Sequence, residues 1–240
     1  MRLRDGGPAK LGVMPLSPPR ALPAPVGLLA LVGLSVLLFA LITWQVVTDG
    51  PLIGADERLS RALVHPDRFS ELLADLGNVQ VAVPVLVAAL AYAAWHGRAG
   101  GGAPWWPGPL AGGLAMVLVP VLVVPLKEWT DRPGTPAVPP AVGYYPSGHT
   151  CTAVVAYGAA TLLLLGSLRS PAVRRVLVAL CAVLVLGASY GLVRRGYHWP
   201  LDVVAGWCLG AVLLAGVRLA VSRSRGRRSS GTPGLRTGPG

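Results

Sequence analysis

The sequence predicts an all-α fold, a six-transmembrane-helix bundle with interfacial helices in the first outer loop. Three observations predict it: apolar runs near bilayer length, scarce charge, and basic residues unevenly shared between the loops. Only 13% of the 240 residues are charged and 53% are hydrophobic, whereas a soluble domain is about a quarter charged. The apolar runs are Val26–Val47, Val79–Trp95, Pro109–Leu126, Thr150–Leu168, Val176–Val193 and Val203–Ala220. Each approaches the ~17–25 residues of a membrane crossing, and a backbone in hydrocarbon must satisfy its own hydrogen bonds, so each is expected to be helical.

The elements follow in chain order. Residues 1–24 are polar, basic and rich in proline, as expected of a flexible cytoplasmic tail. The first run is longer than a signal-peptide core and lacks a small-residue cleavage site, so a retained span is expected. In the loop after it, Leu59, Ala62 and Leu63, then Phe69, Leu72, Leu73 and Leu76, recur at helical spacing on either side of Pro66. Charged residues fill the other faces, which suggests helices lying in the interface. The six-span domain is bounded at 25–221, and a disordered basic cytoplasmic tail is expected over 222–240.

Six spans place both termini on one side. With the termini cytoplasmic, only Arg58, Arg61, Arg68, Lys127, Arg132, Arg194 and Arg195 of the 21 basic residues face outward. That bias fits the positive-inside rule. The net charge of +11 therefore reflects topology, and no nucleic-acid partner is expected, since that footprint is a basic face on a soluble fold. Cys151, Cys181 and Cys208 lie in apolar runs with no metal-ligand spacing and are read as small hydrophobes.

Three polar clusters share the outer side. Tyr145-Pro146-Ser147-Gly148-His149-Thr150 opens the fourth span. A helix start has free N–H groups and partial positive charge and holds anions well; Ser147 adds a hydroxyl, Gly148 permits close approach, and His149 points toward whatever is held. The same residues also fit a plain helix start with an incidental histidine. In Arg194-Arg195-Gly196-Tyr197-His198-Trp199-Pro200-Leu201-Asp202, His198 and Asp202 share a helical face. A carboxylate on one ring nitrogen makes the other a better nucleophile, although a capping Asp beside a surface His fits equally. Lys127 and Arg132 close the third span, as phosphate donors or as interfacial anchors. Only the combination is specific, and it suits a phosphate ester; no carboxylate-rich metal site is present, and neither a metal nor another cofactor is expected.

These residues resemble the type 2 phosphatidic acid phosphatase superfamily, membrane lipid phosphate phosphatases related to vanadium haloperoxidases. The resemblance spans roughly residues 50–213 and rests on the intact Pro146-Ser147-Gly148-His149 motif and on His198 with Asp202. It implies attack on phosphorus by His198 to form a phosphohistidine, oriented by Asp202, with His149 protonating the leaving oxygen. Lys127, Arg132, Ser147 and the Gly148 backbone would hold the phosphate oxygens, and water would release phosphate with no metal. Two positions depart from the family pattern. Gly134 stands where the first motif has its Arg, with Arg132-Pro133 two residues early, and Gly191-Leu192 stands where the third motif opens Ser-Arg; Arg194 and Arg195 are candidate substitutes. The implied substrate is a lipid phosphate or diphosphate (a polyprenyl diphosphate, phosphatidic acid or phosphatidylglycerol phosphate) handled at the outer face of the cell membrane. A phosphotransferase, or a non-catalytic membrane protein or transporter keeping an anion site, is the alternative.

Overall fold

The computed structural model describes residues 24–99 and 104–229, so the expected tail properties of residues 1–23 and 230–240 lie outside the described residues. Among the described residues every regular element is helical: α1 Ala24–Val47, α2 Pro51–Leu63, α3 Arg68–Asp75, α4 Val79–Ala99, α5 Pro107–Thr130, α6 Gly148–Leu164, α7 Pro171–Arg194 and α8 Pro200–Ser229. Proline at the first turn of α2, α5 and α7 supplies a preset φ where no N–H partner is needed. Ser147 and Ser170 cap α6 and α7 through Oγ, accepting from Thr150 N and Val173 N, as serine does where the first N–H groups lack partners.

Five helices, α1, α4, α5, α7 and α8, are long and apolar enough to cross a membrane. The expected span Thr150–Leu168 is shorter in the structure. Its helix stops at Leu164, where Leu165, Gly166 and Ser167 turn back onto the carbonyls of Thr161, Leu163 and Leu164, leaving 17 residues.

Helix α6 is the hub. Most of its residues are buried, and it packs on α4, α5, α7 and α8. Its interface with α8 is built from small residues. A Cβ on Gly206 would lie 2.8 Å from the Ser147 carbonyl oxygen, and one on Gly158 2.4 Å from a Leu214 methyl. Close backbone approach through small residues is the usual means of helix association in lipid.

The short helices pack the opposite way from soluble amphipathic helices. In α2 the inward side chains are Asp56 and Ser60, 4% and 2% exposed, while Leu52, Leu59 and Leu63 face out. In α3 Ser70 and Ala74 are buried while Phe69 and Leu72 face out. Asp67 caps α3, and the Ser70 N–H together with Arg194 holds its carboxyl down at about 2.

Helix α3 lies on α7 at Gly191, where a Cβ would sit 2.4 Å from Ala74 N and 2.6 Å from Ser70 O. Backbone cannot yield there as a side-chain tip can. Gly191→Ala is therefore expected to cost about 1–3 kcal/mol, the usual range for overpacking. Thermal unfolding of the detergent-solubilised protein checks this: the midpoint falls by several degrees, and an unchanged midpoint contradicts the contact.

Candidate active site

The site forms where the openings of α6 and α8 meet. The Ser147 N–H donates to the Asp202 carbonyl at 3.0 Å, which ties the two helix starts together. The chain reverses after α7 through Gly196, at φ +76°, with the Tyr197 and His198 N–H groups both directed to Leu192 O. His198 is thereby held just ahead of α8, and Asp202 lies in that helix's first turn.

Asp202 is fully buried and both of its carboxylate oxygens are engaged. Its Oδ2 meets His198 Nδ1 at 3.2 Å and accepts the Trp199 N–H at 3.1 Å. Its Oδ1 accepts from an Arg132 terminal nitrogen at 2.5 Å. With Nδ1 engaged, Nε2 is the His198 nitrogen left for a ligand. The ring centroids of His149 and His198 are 6.3 Å apart. Both line a cavity of about 890 Å³ with Lys127, Gly148, Tyr144, Tyr197 and Leu192. Tyr144 meets His198 edge-on at 5.9 Å. Lys127 Nζ donates to Gly143 O at 2.6 Å, which stations the ammonium at the cavity wall.

The cavity has a polar end and an apolar flank. Below Lys127 its wall is Val79 and Val83 of α4 with Met116, Val117, Pro120 and Val124 of α5. Several of these side chains are largely exposed on the outer surface of the bundle, so the flank is continuous with that surface. Asp75 and Asn78 line the cavity as well, joined by Asn78 Nδ2 donating to Asp75 Oδ1 at 2.7 Å.

The sequence candidates divide in two. His198, Asp202, His149, Lys127 and Gly148 come together. Ser147 is fully buried as the α6 cap, its Oγ accepting from Thr150 N and Thr150 Oγ1. Arg132 is 5% exposed beneath the His198–Asp202 pair and is absent from the cavity wall, its two terminal nitrogens taken by Asp202 and Asp56. Arg194 pairs with Asp67 at 2.9 Å, and Arg195 reaches Tyr197 Oη and Glu71 at 3.3 and 3.8 Å; neither lines the cavity. The packing of α3 on α7 draws both away. At the two divergent positions, a Cβ on Gly134 would strike the Tyr144 ring at 2.7 Å, while Leu192 lines the cavity itself. Among the described residues, no group of three or more His, Cys, Asp or Glu is placed to hold a metal ion.

Sequence reasoning missed Asp56, Asp75 and the cavity-lining place of Leu192. Asp56 carried a faint signal: with Ser60 it forms a polar i,i+4 stripe opposite the leucines of α2. Tyr145 is fully buried, with Oη 2.7 Å from Thr43 Oγ1. Burial pushes its phenol well above the ordinary value.

Five helices long and apolar enough to cross a membrane, with a histidine pair and a lysine lining one cavity among them, describe a multi-pass membrane protein. The PAP2 superfamily model matches residues 109–225. That stretch holds Lys127, His149, His198 and Asp202, and over it the chain is similar to that superfamily. It is 51% identical over 67 residues to an undecaprenyl-diphosphatase of Sulfolobus acidocaldarius, a match covering 28% of each chain. The chain thus spans little more than a quarter of the curated relative it matches. The fold resembles the crystal structure of a transmembrane PAP2 type phosphatidylglycerolphosphate phosphatase from Bacillus subtilis. That likeness has a TM-score of 0.63 and 23% identity, and covers 87% of this chain and 98% of that one.

Proposed function

We propose that the protein hydrolyses a lipid phosphate or diphosphate through a phosphohistidine on His198. The observation that carries this reading is the oriented imidazole: Nδ1 is fixed by buried Asp202, and Nε2 is left for a phosphorus atom in a cavity shared with His149 and Lys127. His198 attacks phosphorus as the bond to the leaving oxygen breaks, and His149 gives that oxygen a proton. Lys127 and the N–H groups opening α6 stabilise the charge building on the phosphoryl oxygens. Water, giving a proton to His149, then attacks phosphorus, the P–N bond breaks, and both histidines are restored.

The apolar flank between α4 and α5 suits a substrate whose tail stays in the bilayer. Polyprenyl diphosphates, phosphatidic acid and phosphatidylglycerol phosphate all meet that description, and the two relatives act on lipid phosphates by their names. In this reading α6 is a sixth span, shortened because it is sheathed by protein. Helices α2 and α3 rest in the outer interface with their leucines in lipid, both termini are cytoplasmic, and the site faces outward.

One observation favours a second reading, a membrane protein that holds an anion without turnover. Of the cations expected at the site, Lys127 alone lines the cavity. Phosphate release from the three lipids, with purified protein in chelator, separates the two. The phosphatase reading predicts release from at least one of them, inhibited by vanadate. Vanadate binding with no release from any lipid selects the second reading, and release that needs added metal contradicts the mechanism.

A further inference from the structure

Arg132 sits between two buried carboxylates. Its two terminal nitrogens are divided between carboxylates, 2.5 Å to Asp202 Oδ1 and 2.6 Å to Asp56 Oδ2. All three side chains are at most 5% exposed. The other Asp56 oxygen accepts the Leu201 N–H at 2.9 Å, so α2 holds the first turn of α8 next to Asp202. Two buried carboxylates around one guanidinium leave one net negative charge. Without Asp56, Arg132 would neutralise Asp202, and the carboxylate beside His198 would lose most of its field. Buried charges interact strongly enough for that difference to matter.

We propose that Asp56 is a positioning residue: by occupying half of Arg132 it keeps the negative charge of Asp202 available to His198. This rests on the phosphatase reading for its effect on rate, though its effect on the imidazole does not. The groups facing His198 are few. They are Asp202 of α8, Lys127 of α5, His149 of α6, Asp75 at the end of α3, and Tyr144 and Tyr197 of the loops. Arg194 and Arg195 of α7 are turned to Asp67 and Glu71. From α2, only Asp56 reaches the network.

The test is a charge cycle in the full-length protein, with two readouts. Asp56→Asn keeps shape and removes one negative charge. It is expected to move the acidic limb of the kcat/KM profile down by about one pH unit, and to lower kcat about tenfold with KM little changed. Arg132→Gln removes the positive charge while keeping a donor to Asp202, and is expected to move the limb up. The double variant restores one negative charge and returns the limb toward its original position. The second readout is the pH dependence of diethylpyrocarbonate modification at His198, mapped by mass spectrometry, with His149 as the internal comparison. If no lipid phosphate is turned over yet the His198 modification profile shifts as described, the phosphatase reading fails and the positioning role stands. Limb and profile unmoved in both single variants, or moved in the same direction, overturn the proposal. So does an Arg132→Gln variant that only raises KM and weakens vanadate inhibition, because Arg132 would then grip phosphate directly.

Discussion

Alanine at position 198 is expected to reduce phosphate release by at least about 10⁴-fold, the scale on which removal of a nucleophile acts. Asp202 is fully buried and shares its Oδ2 between His198 Nδ1 and the Trp199 N–H, so no competing conformation is offered to the ring. Around the same cavity the other polar side chains are Lys127, Tyr144, His149, Thr152, Tyr197, Asp75 and Asn78. None of them is coupled to a buried carboxylate as His198 is. The loss should therefore be deep, and it should not be rescued by mass action at high substrate. His198→Gln, which keeps a polar group near Asp202, should be as inactive as His198→Ala while unfolding at a temperature close to the unsubstituted protein. Single-turnover release from the variant, normalised to folded protein, gives the answer. A rate above a few per cent of the original places the nucleophile elsewhere.

The second large effect is at His149, and its size should depend on the leaving group. Removing a general acid costs about 10²–10⁴-fold when the departing oxygen needs a proton. A phosphate monoester such as phosphatidic acid expels a lipid alkoxide, a poor leaving group. A polyprenyl diphosphate expels a lipid phosphate, which departs far more readily. His149→Ala should thus lose the upper part of that range on monoesters and much less on diphosphates or on p-nitrophenyl phosphate. The placement supports the role: the ring lies in the first turn of α6, 6.3 Å from His198, so one phosphoryl group can meet both. Equal losses on all three substrate types would mean that His149 binds phosphate and transfers no proton.

Much of this site was legible because its parts are local. Proline, serine and glycine at 146–148 write a helix start, and that start leaves His149 at the cavity. The spacing of His198 and Asp202 survives Pro200 because the proline sits at the first position of α8, where its missing N–H costs nothing. The helical runs were equally plain, since a bilayer imposes length and apolarity together. What failed to show was long-range. Arg132 reads as a phosphate ligand from its neighbours, but its partner Asp56 is 76 residues away. That partner stands on an amphipathic helix whose polar face, by soluble-protein habits, should be wet. Burial raises the Asp56 carboxyl against the pull of Arg132 and the Leu201 N–H, a cost that only a built network tolerates. Arg194 and Arg195 were misplaced for a related reason: the sequence shows their charge, while Gly191 decides that α3, with Asp67 and Glu71, lies close enough to claim them.

A phosphohistidine on His198 can be trapped by rapid acid-free quenching of the enzyme with radiolabelled lipid phosphate. One phosphorylated peptide is expected, labile in acid and stable in alkali, carrying the label on His198 and absent from His198→Ala. Label on any other residue, or full turnover with no labelled enzyme under conditions where release is slowed, would contradict it.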